Sequence, residues 1–408
     1  MSERVRGDAL VGRVIAATLC AWSVASAVAA QPERGPELDR VVTQVCEKQV
    51  VLLGEDAGHG GGKTLEVKVA LATRLLNECG FNAVLFESPV YDFLDLERSI
   101  KARAATRAQL SDAIGGLWST TTEMEPWISL LFERQVKGEV AVLGLDPQAS
   151  GATQTFARRR LASQLAGELV EPRRSTCQAE IQRLTNWTFD DATPYDVTTR
   201  RRLNDCIGEI MLAAQSKSKD DDENIDAFTA KNLARYLQMS EQDGLQQREL
   251  AMIENFVWAR SRLGPRAKVI VWCATVHALK QPRARDQAER LGSHVHGLLG
   301  DEAAAIGFTA LSGNHGRADQ SPRRLEDAAP DSLEARALAD AGDDIRYLDR
   351  QQLDALGTIA ARPISYAAWQ KADWGRLLDG IVVLRSERPP RWIALPTVTS
   401  PNPVHGVP

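Results

Sequence analysis

Short, largely apolar runs punctuate the chain at Val50–Gly54, Ala83–Phe86, Val140–Leu145, Val269–Cys273, Ala304–Leu311 and Ile381–Leu384. Such runs, bounded by polar or glycine residues, are the pattern of strands buried on both faces. Between them apolar residues recur at helical spacing. Leu65, Val69, Leu71, Leu75 and Leu76 precede a stop at Gly80, and helical patterns fill residues 90–135. Residues about 150–262 show no strand pattern and read as helices joined by charged loops. Strands alternating with helices predict an α/β fold: a mainly parallel central sheet flanked by helices, with a helical insertion at about 150–262.

The ends of the chain read differently. Arg4, Arg6 and Arg13 precede an apolar stretch from Val14 to Ala30 that closes on Ala27-Val28-Ala29-Ala30. A basic head, an apolar middle and a small-residue exit predict a signal peptide over residues 1–30, cleaved near Ala30-Gln31. Residues 31–408 are then one α/β domain, and the mature protein is expected to be periplasmic or secreted. No other apolar run is long enough to span a bilayer, so no membrane association is expected after cleavage. A Pro- and Arg-rich stretch from Asn314 to Pro330 predicts a surface flap, and a Pro-rich tail follows Pro389.

Composition adds little: 44% hydrophobic and 25% charged residues are those of an ordinary globular protein. A net charge of −5 argues against a nucleic-acid partner. Cys46, Cys79, Cys177, Cys206 and Cys273 remain after cleavage, without metal-ribbon or CxxC spacing. In a compartment that permits disulfides, Cys46 with Cys79 and Cys177 with Cys206 are the expected staples. Cys273, inside a predicted strand, is left over.

The chemistry gathers between Val50 and Glu87. Glu55, His59 and Glu87 are expected at the carboxyl ends of two strands, the edge where open α/β sheets bind ligands. A carboxylate, an imidazole and a second carboxylate are parts of a hydrolytic or metal site. His59, held by Glu55 or Glu87, is the expected general base for water. There is no G-x-S-x-G elbow to supply a serine nucleophile. Lys68, Arg248, His277 or the glycine amides are expected to face the developing negative charge. In a variant reading, Glu55, His59, Glu87 and His277 hold a divalent metal such as zinc, manganese or iron. His294, His296, His315 and His405 read as surface residues. A rival reading comes from Ala57–Thr64, which nearly spells the phosphate loop G-x-x-x-x-G-K-[ST]. There Lys63 would reach phosphates, Thr64 would hold magnesium, and Asp146 would be the acidic metal partner.

Motifs along most of the chain resemble those of the erythromycin esterase family. They are Gly54-Glu55 with His59-Gly60, Lys68 nine positions after His59, Gly80-Phe81, Glu87, Trp118, Glu125 and Gly144-Leu145-Asp146. Arg248 to Asn255 and Trp272 to His277 continue the series, as do Ser332-Leu333-Glu334 and Asp379-Gly380-Ile381. The resemblance implies an enzyme acting on a small-molecule ester or lactone such as a macrolide. It implies Glu55, His59, Glu87 and His277 as catalytic and Lys68, Arg248, Glu125 and Asp146 as substrate-binding. Two positions depart from the family pattern: the turn from Glu55 to His59 is one residue longer, and Ala274 replaces the first of two late histidines. Related folds with a similar Gly-Glu turn offer a further reading, a periplasmic iron- or haem-binding protein.

Overall fold

A computed structural model describes residues 35–393, apart from 150–154, 218–223, 240–243, 282–288, 318–320, 341 and 343. The expected signal peptide, most of the charged stretch after Lys217 and most of the tail lie outside the described residues. The strands among the described residues are β1 (Val50–Leu53), β2 (Ala83–Pro89), β3 (Ala141–Asp146), β4 (Val269–Trp272), β5 (Ala303–His315), β6 (Arg323–Arg324), β7 (Ile345–Asp349), β8 (Thr358–Ala361), β9 (Gln370–Asp373) and β10 (Gly380–Glu387). The main sheet runs β3-β2-β4-β1-β5-β10-β7, with β6 attached to β5. The pairings from β3 across to β10 are parallel. Those of β7 with β10 and of β6 with β5 are antiparallel. This is the α/β architecture the apolar runs predict.

The pleat explains the runs. Val51 and Leu53 enter one core with Val84, Phe86, Ile270 and Trp272, while Val50 and Leu52 enter another with Ala83, Leu85, Val269 and Val271. Successive side chains of a strand point to opposite faces, so a strand covered on both sides needs apolar residues throughout. Helices Pro36–Val45, Gly62–Glu78 and Glu125–Val136 cover the first face through Leu38, Leu71 and Leu131. Helices Gly244–Leu263 and Leu291–Leu299 cover the second through Met252, Phe256 and Val295. Each such fully buried side chain contributes roughly 1.5–3 kcal/mol.

The described part of residues 150–262 is helical and carries its own core around Leu165, Ile181, Ile207 and Leu233. Disulfides join Cys46 to Cys79 and Cys177 to Cys206, and Cys273 is free and buried. The segment expected as a flap begins instead as a sheet extension, in which β5 runs on to His315 and Asn314 pairs with Arg324 of β6.

Candidate active site

The strand order sets the site. Along the carboxyl edge of β3-β2-β4-β1 stand Asp146, Glu87, the turn from Cys273 to His277, and Glu55, in that order. Glu55 continues the parity of Val51 and Leu53, toward the face of helix Gly62–Glu78. Glu87 shares the parity of Leu85, toward the face of helix Gly244–Leu263. The two acids therefore head separate clusters.

In the first cluster Glu55 is 2% exposed and accepts three hydrogen bonds. His59 Nδ1 lies 2.7 Å and Trp118 Nε1 2.7 Å from Oε1, and Lys68 Nζ lies 2.8 Å from Oε2. Burial by itself would raise the Glu55 carboxyl. The Lys68 ammonium and the His59 hydrogen bond outweigh it and hold the pKa below the usual carboxylate value. A carboxylate only accepts, so the proton facing it sits on Nδ1. That leaves Nε2 as the nitrogen able to take a proton, and Nε2 has no hydrogen-bond partner among the described residues. The Trp118 ring meets the imidazole edge-on at 5.1 Å and fixes its plane.

Local sequence places this ring. His59 has φ 54, a left-handed conformation that most side chains avoid. Asp56 supports it. One of its oxygens accepts the Gly58 amide at 3.0 Å, and the other accepts the Tyr366 amide at 2.6 Å. Ala57 N–H donates to Ile364 at 3.0 Å. The longer turn is thus sewn to residues 364–366, and the Glu55–His59 contact forms despite the extra residue. Glu55, Asp56, His59, Gly61, Thr64 and Tyr366 line a tight recess with no room for a water molecule.

The second cluster centres on His277, which is 1% exposed. Its Nδ1 lies 2.7 Å from Glu249 and its Nε2 3.0 Å from Glu87. With an acid on each nitrogen the ring holds two protons. Burial opposes the charge, but Glu87 and Glu249 prevail and raise the pKa to about 9. Arg248 Nη2 donates to Glu87 at 2.9 Å and to Asp146 at 2.5 Å, and Ala274 N–H donates to Glu87 at 2.6 Å. Against the cost of burial, His277 and Arg248 hold Glu87 well below the usual carboxylate range. Arg290 and the Leu291 amide complete Glu249 at 2.9 and 3.1 Å.

Several expectations need correction. Of the two acids expected to hold His59, Glu55 is the one that bonds it, while Glu87 bonds His277. Lys68 is wholly buried, its ammonium 4.1 Å from the Trp272 ring centre and bound to Glu55, so it supports the acid rather than facing substrate. His277 has no nitrogen left for an oxyanion or a metal. Glu55 and Glu87 are each closed by a cation, so the four side chains expected around zinc, manganese or iron do not form a ligand set. Among the described residues no group of His, Cys, Asp or Glu is placed to hold a metal ion. Glu125 stands apart, half-exposed in the first turn of its helix and paired with Arg107 at 2.5 Å. The neighbouring buried acid is Glu123, which pairs with Arg388 and Arg391.

The phosphate-loop reading fails on geometry. Where the phosphate would sit, at the start of helix Gly62–Glu78, lies the Glu387 carboxylate from the end of β10. It accepts the Lys63 amide at 2.7 Å and the Thr64 hydroxyl at 2.6 Å. Lys63 Nζ turns to Glu66 at 3.1 Å. A Cβ on Gly61 would lie 2.5 Å from Glu387, and one on Gly62 2.6 Å from Pro389. The glycines admit the chain's own β10 end, not a ligand. Sequence reasoning missed Glu249, Arg290, Asp56 and Glu387, whose partners lie 28 to 324 positions away. Only the unusual placing of acids beside apolar helix or strand residues hinted at them.

Comparison with known proteins gives a consistent picture. The erythromycin esterase family matches residues 76–385, starting downstream of Glu55, His59 and Lys68. A Bacillus subtilis (strain 168) protein named "Putative hydrolase YbfO" is 22% identical over 304 residues, spanning 65% of this chain and 66% of YbfO, just under two thirds of that relative. A Bacillus cereus protein of known crystal structure superposes with TM-score 0.69 at 16% identity, covering 89% of this chain and 95% of its own. A mutant of the erythromycin esterase EreC, in its open conformation, superposes with TM-score 0.66 at 15% identity, covering 90% of this chain and 98% of its own. The last two are likenesses of fold, and the family match spans most of the sequence: the chain belongs to the erythromycin esterase family.

Proposed function

We propose that the protein is a hydrolase that cleaves a carboxylic ester or lactone with water activated by His59. The observation that carries this reading is the buried Glu55–His59 pair, which commits Nδ1 to Glu55 and leaves Nε2 unpartnered among the described residues. In the proposed step Nε2 takes a proton from water as its oxygen attacks the carbonyl carbon. Glu55, already anionic beside Lys68, stabilises the imidazolium that forms. Collapse of the tetrahedral intermediate breaks the ester C–O bond, and the imidazolium returns its proton to the leaving alkoxide. Arg248, whose side chain is about one-fifth exposed, is the cation proposed to meet the oxyanion.

The recess beside His59 is closed to water and is no site for a drug-sized ligand, which needs roughly 300–1,000 Å³. The water and the body of the substrate are therefore proposed to meet Nε2 outside that recess. Family membership favours macrolide esters as the first substrates to test. A periplasmic or secreted location belongs to the same proposal, and the two disulfides fit an oxidising compartment. The test is a panel of esters and lactones, macrolides included, incubated with the mature chain and analysed by mass spectrometry. Addition of one water to at least one of them supports the reading. No hydrolysis of any panel member above a Glu55→Gln control counts against it.

A further inference from the structure

At the amino end of β10 an open cavity of about 530 Å³ is lined by Lys280, Gln281, Ser293, His296, Arg350 and Arg376, together with Gly297. Among the described residues it shares no lining residue with the Glu55 or Glu87 clusters, and none that lines it is a carboxylate.

Its polar frame is built from below. Asp379 accepts Lys280 Nζ at 2.7 Å, His296 Nε2 at 2.9 Å and the Ala305 amide at 2.9 Å. Burial would raise this carboxyl, but the His296 hydrogen bond and the Lys280 charge bring it down to about 2. Asp379 therefore stays anionic and holds both side chains in place. The Lys280 ammonium also donates to the Gly375 carbonyl at 3.1 Å, which leaves one of its three N–H groups uncommitted.

The two arginines are hardly matched. Arg376 makes no hydrogen bond or ion pair among the described residues. Among the described residues Arg350 has only Asp354 at 3.9 Å, with both side chains more than half exposed, a pairing worth little in water. Two guanidinium groups and a spare ammonium proton thus line a cavity with no acid among its described lining residues, in a chain of net charge −5.

We propose that this cavity binds a small oxyanion carrying at least two negative charges, that is, a phosphate- or carboxylate-bearing molecule. A guanidinium presents two parallel N–H groups that match paired oxygens of either class. The cavity volume falls within the roughly 300–1,000 Å³ typical of small-molecule sites. The proposal stands independently of the hydrolase reading.

Isothermal titration of the mature chain with pyrophosphate, and separately with citrate, at constant ionic strength in chloride tests it. Saturable binding of one or both is expected, and the tighter anion identifies the phosphate or the carboxylate class. Arg350→Ala combined with Arg376→Ala should weaken that binding about tenfold or more. Arg324→Ala, at an exposed arginine paired with Asp327, should leave it unchanged. Because both cavity arginines are exposed, the double variant is expected to keep the circular dichroism of the parent. Binding of neither anion above the chloride background would overturn the proposal, as would binding indifferent to the double variant.

Discussion

Lys68 shows how far a single residue's role depends on burial. An ammonium with no exposed surface is tolerated because Glu55 and the Trp272 ring receive it. Lys68→Met should therefore strip Glu55 of its cation, leaving this buried acid the His59 and Trp118 hydrogen bonds, and destabilise the fold by about 3–5 kcal/mol. Adding Glu55→Gln should recover much of that loss. Urea denaturation of the two variants checks both expectations; a mild single variant would mean that Glu55 is not charged.

His277 makes a second residue-scale prediction. Its pKa rises from an ordinary 6.5 to about 9 on folding, so it stabilises the fold fully below pH 6.5 and progressively less as pH climbs through about 9. The loss is on the order of 3 kcal/mol. Glu87 and Glu249 act oppositely: their depressed values give stability above the ordinary carboxylate pKa, lost as pH falls through the folded values. Melting temperature should fall between pH 6.5 and about 9 in the parent and be flatter in His277→Gln. Equal slopes in the two proteins would refute the doubly protonated ring.

At the scale of elements, helix Gly62–Glu78 is capped from the far end of the chain. No side chain at its own N-cap serves it, and Glu387 supplies the acceptor from 324 positions away. This ties the last described strand of the chain to the helix that follows the first strand. Glu387→Ala should cost about 1–3 kcal/mol, since it orphans two amides and the Thr64 hydroxyl. Lys63→Ala breaks a partly exposed pair with Glu66 and should cost less than Glu387→Ala. Thermal denaturation separates the two. A Lys63→Ala variant more damaged than Glu387→Ala would contradict the capping role of Glu387.

The whole molecule explains which features could be read from sequence. The strands from β1 to β4, and the cores of β5 and β10, are covered on both faces, so continuous apolar runs reveal them. β7, β8 and β9 lie at the antiparallel rim or in a separate ribbon, carry Arg346, Asp349 and Lys371, and are only partly buried. They resemble loops. Within the site, Glu55 and His59 share one glycine-rich turn, so four positions of sequence nearly specify their contact. His277 with Glu249 needs the packing of helix Gly244–Leu263 against β4, which no local spacing encodes. Glu125 and Glu123 differ by two positions and opposite burial, and only the fold decides which acid is inside.

That same architecture brings Glu55, Glu87, Asp146 and His277 to one edge from adjacent strands. It also sorts them into a Glu55–His59 pair whose Nε2 has no partner among the described residues and a cluster saturated with charge. The central claim is that His59, not His277, moves the proton. It is tested by measuring kcat/KM for the best-hydrolysed ester with the parent, with His59→Ala, and with His59→Ala plus added imidazole. The account predicts a loss of about 100- to 10,000-fold in the variant, partly restored by imidazole. Activity within a few-fold of the parent, with no response to imidazole, would contradict it.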